Sequence, residues 1–160
     1  MRHISLRLLC LVMLIGLVGP VMSVAVAKDP VSPSPALRPH RVVEIQLQAL
    51  QHNDLPFADA GILQTWAFAH PNNKRLTGPV GRFAAMIKSP GYHFLINHRS
   101  HRIETVTQTP TQAIFAVTVV SAQGPVVAYL WEVLKVAGGD EDGSWMTAIV
   151  SPPTPVGEET

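Results

Sequence analysis

The apolar residues of this chain change their spacing near residue 92. Upstream they recur every three or four positions, the period of a helix buried along one face. Downstream they gather in β-branched runs separated by glycine and proline, the pattern of strands joined by tight turns. Helices first and strands after predict an α+β fold, with N-terminal helices packed on one face of an antiparallel sheet. Nothing alternates strand with helix, so no parallel nucleotide-binding sheet is supported.

Pro39 suits a first helical turn, and His40 to His52 follows with helical spacing. Val42, Val43, Ile45, Leu47, Ala49 and Leu50 fill one arc of it, and Arg41, Glu44, Gln48 and Gln51 fill the other. Gln46 falls inside the apolar arc, with Asn53 almost above it. A buried amide needs partners, so both should be hydrogen-bonded. Gln46 then either satisfies a backbone group in the core or faces a polar pocket roofed by this helix. Phe57 to Ala69 leans helical, with Gly61 able to split it, and its one charge, Asp59, reads as a capping or solvated carboxylate. His70 to Arg75 reads as a loop. Thr77 or Gly78 then caps a helix with Pro79 in its first turn and Val80, Phe83, Ala84 and Ile87 on one face.

Five strands are expected, at Tyr92–Asn97, Ile103–Gln108, Ala113–Ser121, Val126–Val136 and Trp145–Val150. Short turns at Pro110-Thr111 and Gln123–Pro125, and an acidic loop at Gly138–Gly143, imply a meander.

The ends read differently. Arg2 and Arg7 precede an apolar run, and Ala25-Val26-Ala27 before Lys28-Asp29 resembles a cleavage site, so residues 1–27 read as a secretory signal peptide. Leu8 to Ala27 is also long enough to span a bilayer, so membrane attachment follows only if the segment is retained. Residues 28–39 hold four prolines and read as a mobile linker to a single domain at 40–150, with 151–160 as a flexible tail. Export places the domain in a periplasm, a thylakoid lumen or outside the cell. The chain of 160 residues has formal charge +1. Without residues 1–27, ten basic groups face eleven acidic ones, which excludes an electrostatic nucleic-acid binder. The one cysteine, Cys10, lies in that leader, which excludes a disulfide scaffold.

The pattern Val42-Val43-x-x-Gln46-Leu47-x-Ala49-Leu50-x-x-Asn53-Asp54 resembles the opening of the domain-of-unknown-function 4864 family. Asp59-Ala60-Gly61-Ile62, Asn73-Lys74-x-x-Thr77-Gly78-Pro79, Arg82-Phe83-x-x-Met86 with Asn97-His98-Arg99, and Tyr129-x-Trp131 with Trp145-Met146-Thr147 are similar to the form found in photosynthetic organisms. The similarity runs from about Arg41 to Pro153. In outline the family resembles the nuclear-transport-factor-2-like, or cystatin-like, superfamily. That resemblance implies a curved antiparallel sheet of about four to five strands wrapped around helices as a cone. Such cones hold a small molecule or are filled by side chains, and the family brings no activity with it.

Chemistry-bearing residues are few. His93, His98 and His101 are the densest set of metal-ligand types, yet no cysteine and no nearby acid before Glu104 accompanies them, so no metal is expected. On one strand, His98 and His101 would point to opposite faces. Asn97-His98-Arg99 reads as a polar corner, aimed into a cone mouth or bound to a neighbouring turn. Glu132 sits in an apolar strand. Inward it becomes a candidate acid or base, and outward it pairs across strands. An anion at the turn beside Lys74 and Arg75 lacks the glycine-rich cradle that phosphate needs. No hydrolase motif of the Gly-x-Ser-x-Gly or His-Glu-x-x-His kind occurs. Two functions follow. The first is a non-catalytic exported module for a small ligand or a protein partner. The second is a cone-type isomerase or lyase using general acid–base chemistry. The pocket candidates are Gln46, Asn53, Tyr92, Asn97, His98, Arg99 and Glu132, with no cofactor.

Overall fold

The computed structural model describes residues 29–158. Residues 1–27, which the sequence reads as a signal peptide, lie outside them. Four helices precede the sheet: α1 (Pro39–Gln51), α2 (Ala60–Ala67), α3 (Pro71–Thr77) and α4 (Val80–Ile87). A 3₁₀ turn, His93–Leu95, leads into β1 (Ser100–Gln108), β2 (Gln112–Val120), β3 (Pro125–Lys135), β4 (Trp145–Val150) and β5 (Thr154–Glu158). This is an α+β fold with an open, fully antiparallel sheet.

The sheet runs β1-β2-β3-β4, and β5 shares with β4 the edge of β3 opposite β2. Alternation decides which face is dry. Phe115 stands opposite Trp131 and Val117 opposite Tyr129, and all four are buried. Against that face α1 lays Val42, Val43, Leu47 and Leu50, each fully buried. Its apolar arc thus covers the sheet as its period requires. Each such side chain contributes roughly 1.5–3 kcal/mol by leaving water.

Gly61 sets how closely α2 approaches α1. A Cβ there would stand 2.1 Å from the carbonyl oxygen of Ala49, so only glycine fits the crossing. Gly61 N–H donates to the Asn53 carbonyl at 2.9 Å, which fixes the same crossing.

Several elements differ from the sequence reading. Residues 71–77 are helix α3 rather than loop, because Nδ1 of His70 accepts from Asn72 N–H at 3.2 Å and Pro71 opens the first turn. The expected strand at 92–97 is a 3₁₀ turn, ended by Asn97 at φ 51. The Pro-rich stretch before α1 is tethered rather than mobile: Val31 gives its N–H to Gln64 Oε1 and takes the Gln64 amide on its carbonyl. Residues 154–158, read as part of a flexible tail, instead pair with Pro125–Ala128 of β3. Proline and glycine in that stretch conceal it, and an edge strand tolerates both.

Candidate functional site

A cavity of about 210 Å³ opens between the helices and β4. Every helix contributes to its wall: Gln46 from α1, Thr65 from α2, Asn73 from α3 and Phe83 from α4. Tyr92 and Leu95 close one side, and Trp131 and Thr147 form the sheet side. Leu76 and Ile149, both exposed, mark the mouth.

Its polar groups form one directed chain. Trp131 Nε1, which can only donate, gives its proton to Thr147 Oγ1 at 3.0 Å. The Thr147 hydroxyl then donates to Gln46 Oε1 at 2.5 Å, and Gln46 Nε2 donates to the Thr65 carbonyl at 3.0 Å. Thr65 Oγ1 passes its own proton to the Gly61 carbonyl at 2.8 Å. Gln46 is 1 % exposed, so the misplaced amide of α1 is inside and partnered. The Thr147 backbone is equally engaged, donating to Phe68 O and accepting from His70 N–H, both at 2.8 Å.

Among the described residues, no Asp, Glu, Lys, Arg or His lines this cavity. Tyr92 is its one ionisable group. Burial raises the pKa of that phenol, and its hydroxyl donates to the Val150 carbonyl at 3.0 Å. Such a wall offers no group that exchanges a proton near neutral pH.

The other candidates lie elsewhere. Asn53 is buried in the α1–α2 turn, where Oδ1 accepts from Ile62 N–H and Nδ2 donates to Asp54 and Asp59. Asn97 is exposed and latches that turn, with Oδ1 accepting from Asn53 N–H and its own N–H donating to Leu50 O. The backbone N–H of Asp59 and the Asn97 amide hold the Asp54 carboxyl below its usual range, and Lys88 does the same for Asp59. Arg99 is exposed and donates to the Ala122 carbonyl. Glu132 faces away from the core and accepts from Gln112 Nε2 at 2.6 Å.

His98 and His101 do not point apart. His98 precedes β1, so strand parity does not govern it, and its Nε2 lies 2.8 Å from His101 Nδ1. Its Nδ1 lies 2.8 Å from the Leu95 carbonyl and must therefore carry the proton. Neutral His98 then accepts from His101 Nδ1–H. Burial pushes the His98 imidazole down to about 4 and also lowers His101, where Glu44 opposes it. No cluster of three or more His, Cys, Asp or Glu able to hold a metal occurs among the described residues.

Thr147, Thr65 and Asn73 are the site residues that sequence reasoning missed. Thr147 did carry a signal, as a hydroxyl inside an apolar strand that needs a buried partner.

A family model described as Domain of unknown function (DUF4864) matches residues 36–150. The chain belongs to the DUF4864 family. The matched span holds all four helices, β1 to β4 and the whole cavity wall, while β5 falls beyond it. No curated protein and no solved structure matches the chain. No helix among the described residues is long and apolar enough to cross a membrane.

Proposed function

We propose that this DUF4864 domain is a non-catalytic module that binds a small uncharged molecule in the cavity beneath β4. The supporting observation is the wall itself, a mostly apolar pocket whose Trp131, Thr147, Gln46 and Thr65 groups are bonded to one another. Pockets of this kind, with a few placed polar groups, suit small-molecule binding. A concave pocket of this size favours a small ligand over a protein partner, and a cone-like member of the cystatin-like superfamily would supply one. Export is part of the proposal and rests on the leader's charge, apolar run and small-residue cleavage site.

The acid–base alternative has weaker support. Of the seven pocket candidates, Gln46 and Tyr92 reach the cavity. His98 is sealed against Leu95 and His101, Arg99 is on the surface, and Glu132 is on the opposite face of the sheet. A catalytic set must converge on one reacting atom.

Ethylbenzene titrated into the protein, in the form its producing cell accumulates, tests the reading. Amide resonances of Leu95, Thr147 and Ala148 should shift saturably, and Ala148→Phe, which fills the cavity, should abolish the shifts. Unmoved resonances at saturating ethylbenzene would contradict it. N-terminal sequencing of the same material tests export, with a start at Lys28 expected and a start at Met1 contradicting cleavage.

A further inference from the structure

The hydrogen bonds of the cavity wall leave a directional remainder. The Gln46 amide cannot be flipped, because Oε1 must accept the Thr147 hydroxyl and Nε2 must donate to the Thr65 carbonyl. Nε2 carries two protons and spends one, so the second has no acceptor among the described residues. Asn73 is arranged similarly: the Thr77 hydroxyl lies 2.9 Å from both its Oδ1 and its backbone carbonyl, and Nδ2 spends one proton on the Thr147 carbonyl at 3.2 Å. Every hydroxyl proton in the wall is already given away, by Tyr92 to Val150, by Thr65 to Gly61, by Thr77 to Asn73 and by Thr147 to Gln46. The carbonyls of Thr65 and Thr147 each accept two donors already. The donor the wall still offers is amide N–H, flanking Thr147.

We infer that the cavity takes an uncharged apolar molecule bearing one carbonyl-type oxygen, to which the unspent N–H of Gln46 donates. This rests on the reading of the cavity as a ligand site. Its size sets the ligand at about ten non-hydrogen atoms, since a cavity of about 150 Å³ already takes benzene. A carboxylate is excluded because no cation lines the wall to offset its desolvation. An oxygen-free hydrocarbon fills the space but leaves the amide proton unpaired.

Acetophenone, ethylbenzene and benzoate are matched probes for this chemistry. Titrated separately into the protein as its cell accumulates it, acetophenone should bind about three- to ten-fold tighter than ethylbenzene, the gain expected of one hydrogen bond. It should also move one of the two Gln46 side-chain amide protons downfield, which ethylbenzene should not. Benzoate should not bind. In Gln46→Met the preference should fall to about one-fold. If that variant does not fold, the amide shift in the unmodified protein decides alone. Ethylbenzene binding as tightly as acetophenone, or benzoate binding at all, would overturn the inference. Binding of neither neutral probe would overturn the ligand-site reading beneath it.

Discussion

The hydroxyl of Thr147 donates to Oε1 of Gln46 at 2.5 Å, joining residues 101 apart in the chain. The bond ties the first helix to the fourth strand, and Trp131 Nε1–H completes it from the third. Thr147→Val keeps the volume but leaves Gln46 Oε1 and Trp131 Nε1 buried without partners. The expected cost is about 2–3 kcal/mol in urea unfolding, with Thr147→Ser recovering most of it. Tyr129→Phe is the control. The Tyr129 hydroxyl is buried with no hydrogen-bond partner, so its removal should be neutral or stabilising. Equal losses for Thr147→Val and Tyr129→Phe would contradict the network.

Acid should destabilise the fold through His98. Its folded pKa, about 4, lies below the ordinary 6.5, so the unfolded chain takes up the proton first. Stability is therefore complete above about pH 6.5 and declines as pH falls toward 4, by about 3 kcal/mol. His70 and His101, also lowered by burial, act with the same sign. Asp54 and Asp59, held below the carboxylate range, add a further loss at lower pH still, as they finally protonate. Unfolding midpoints at pH 7.5 and 4.5 check this, and His98→Asn should flatten the difference. An identical midpoint at both values would refute the buried neutral imidazole.

Gly61→Ala should be among the most damaging single-methyl changes. The new Cβ would meet backbone on both sides, the Ala49 carbonyl carbon at 2.7 Å and Asn53 Cα at 2.9 Å. Backbone cannot rotate away as a side chain can, so a loss of about 3 kcal/mol is expected. Gly81→Ala is the counterpart. It lies inside α4 with nothing within 4 Å of the added methyl, so it should gain about 0.5–1 kcal/mol. Thermal unfolding of the two variants should move in opposite directions.

Glu132→Gln separates the outward from the inward reading of that carboxyl. Its partner is Gln112, across the strand pair on the outer face. Stability should change by less than about 0.5 kcal/mol, and ethylbenzene affinity should not change. A weakened affinity would bring Glu132 back to the cavity.

The architecture was legible because period and burial agree along α1, β2 and β3, where each apolar set meets one dry face. Gln46 was legible for the opposite reason, as a polar residue breaking an apolar arc. What escaped depended on partners distant in sequence. A histidine is not among the favoured helix caps, which hid α3. Asn97 at φ 51 turned an apparent strand into a 3₁₀ corner and thereby brought His98 against His101. The hydroxyl of Thr147 signalled a buried partner, but which one escaped because its acceptor is on a helix formed a hundred residues earlier. A register shift between Glu132 and Val133 further broke the parity of β4 that would have assigned its faces.

Xenon under pressure in a crystal of the protein probes the central claim most directly. Xenon seeks dry apolar space and is displaced from polar, hydrated space. The account predicts a xenon peak between Phe83, Leu95 and Trp131, beside an unmoved Gln46 amide. Ordered waters filling that volume, with Gln46 turned away from Thr147, would contradict it.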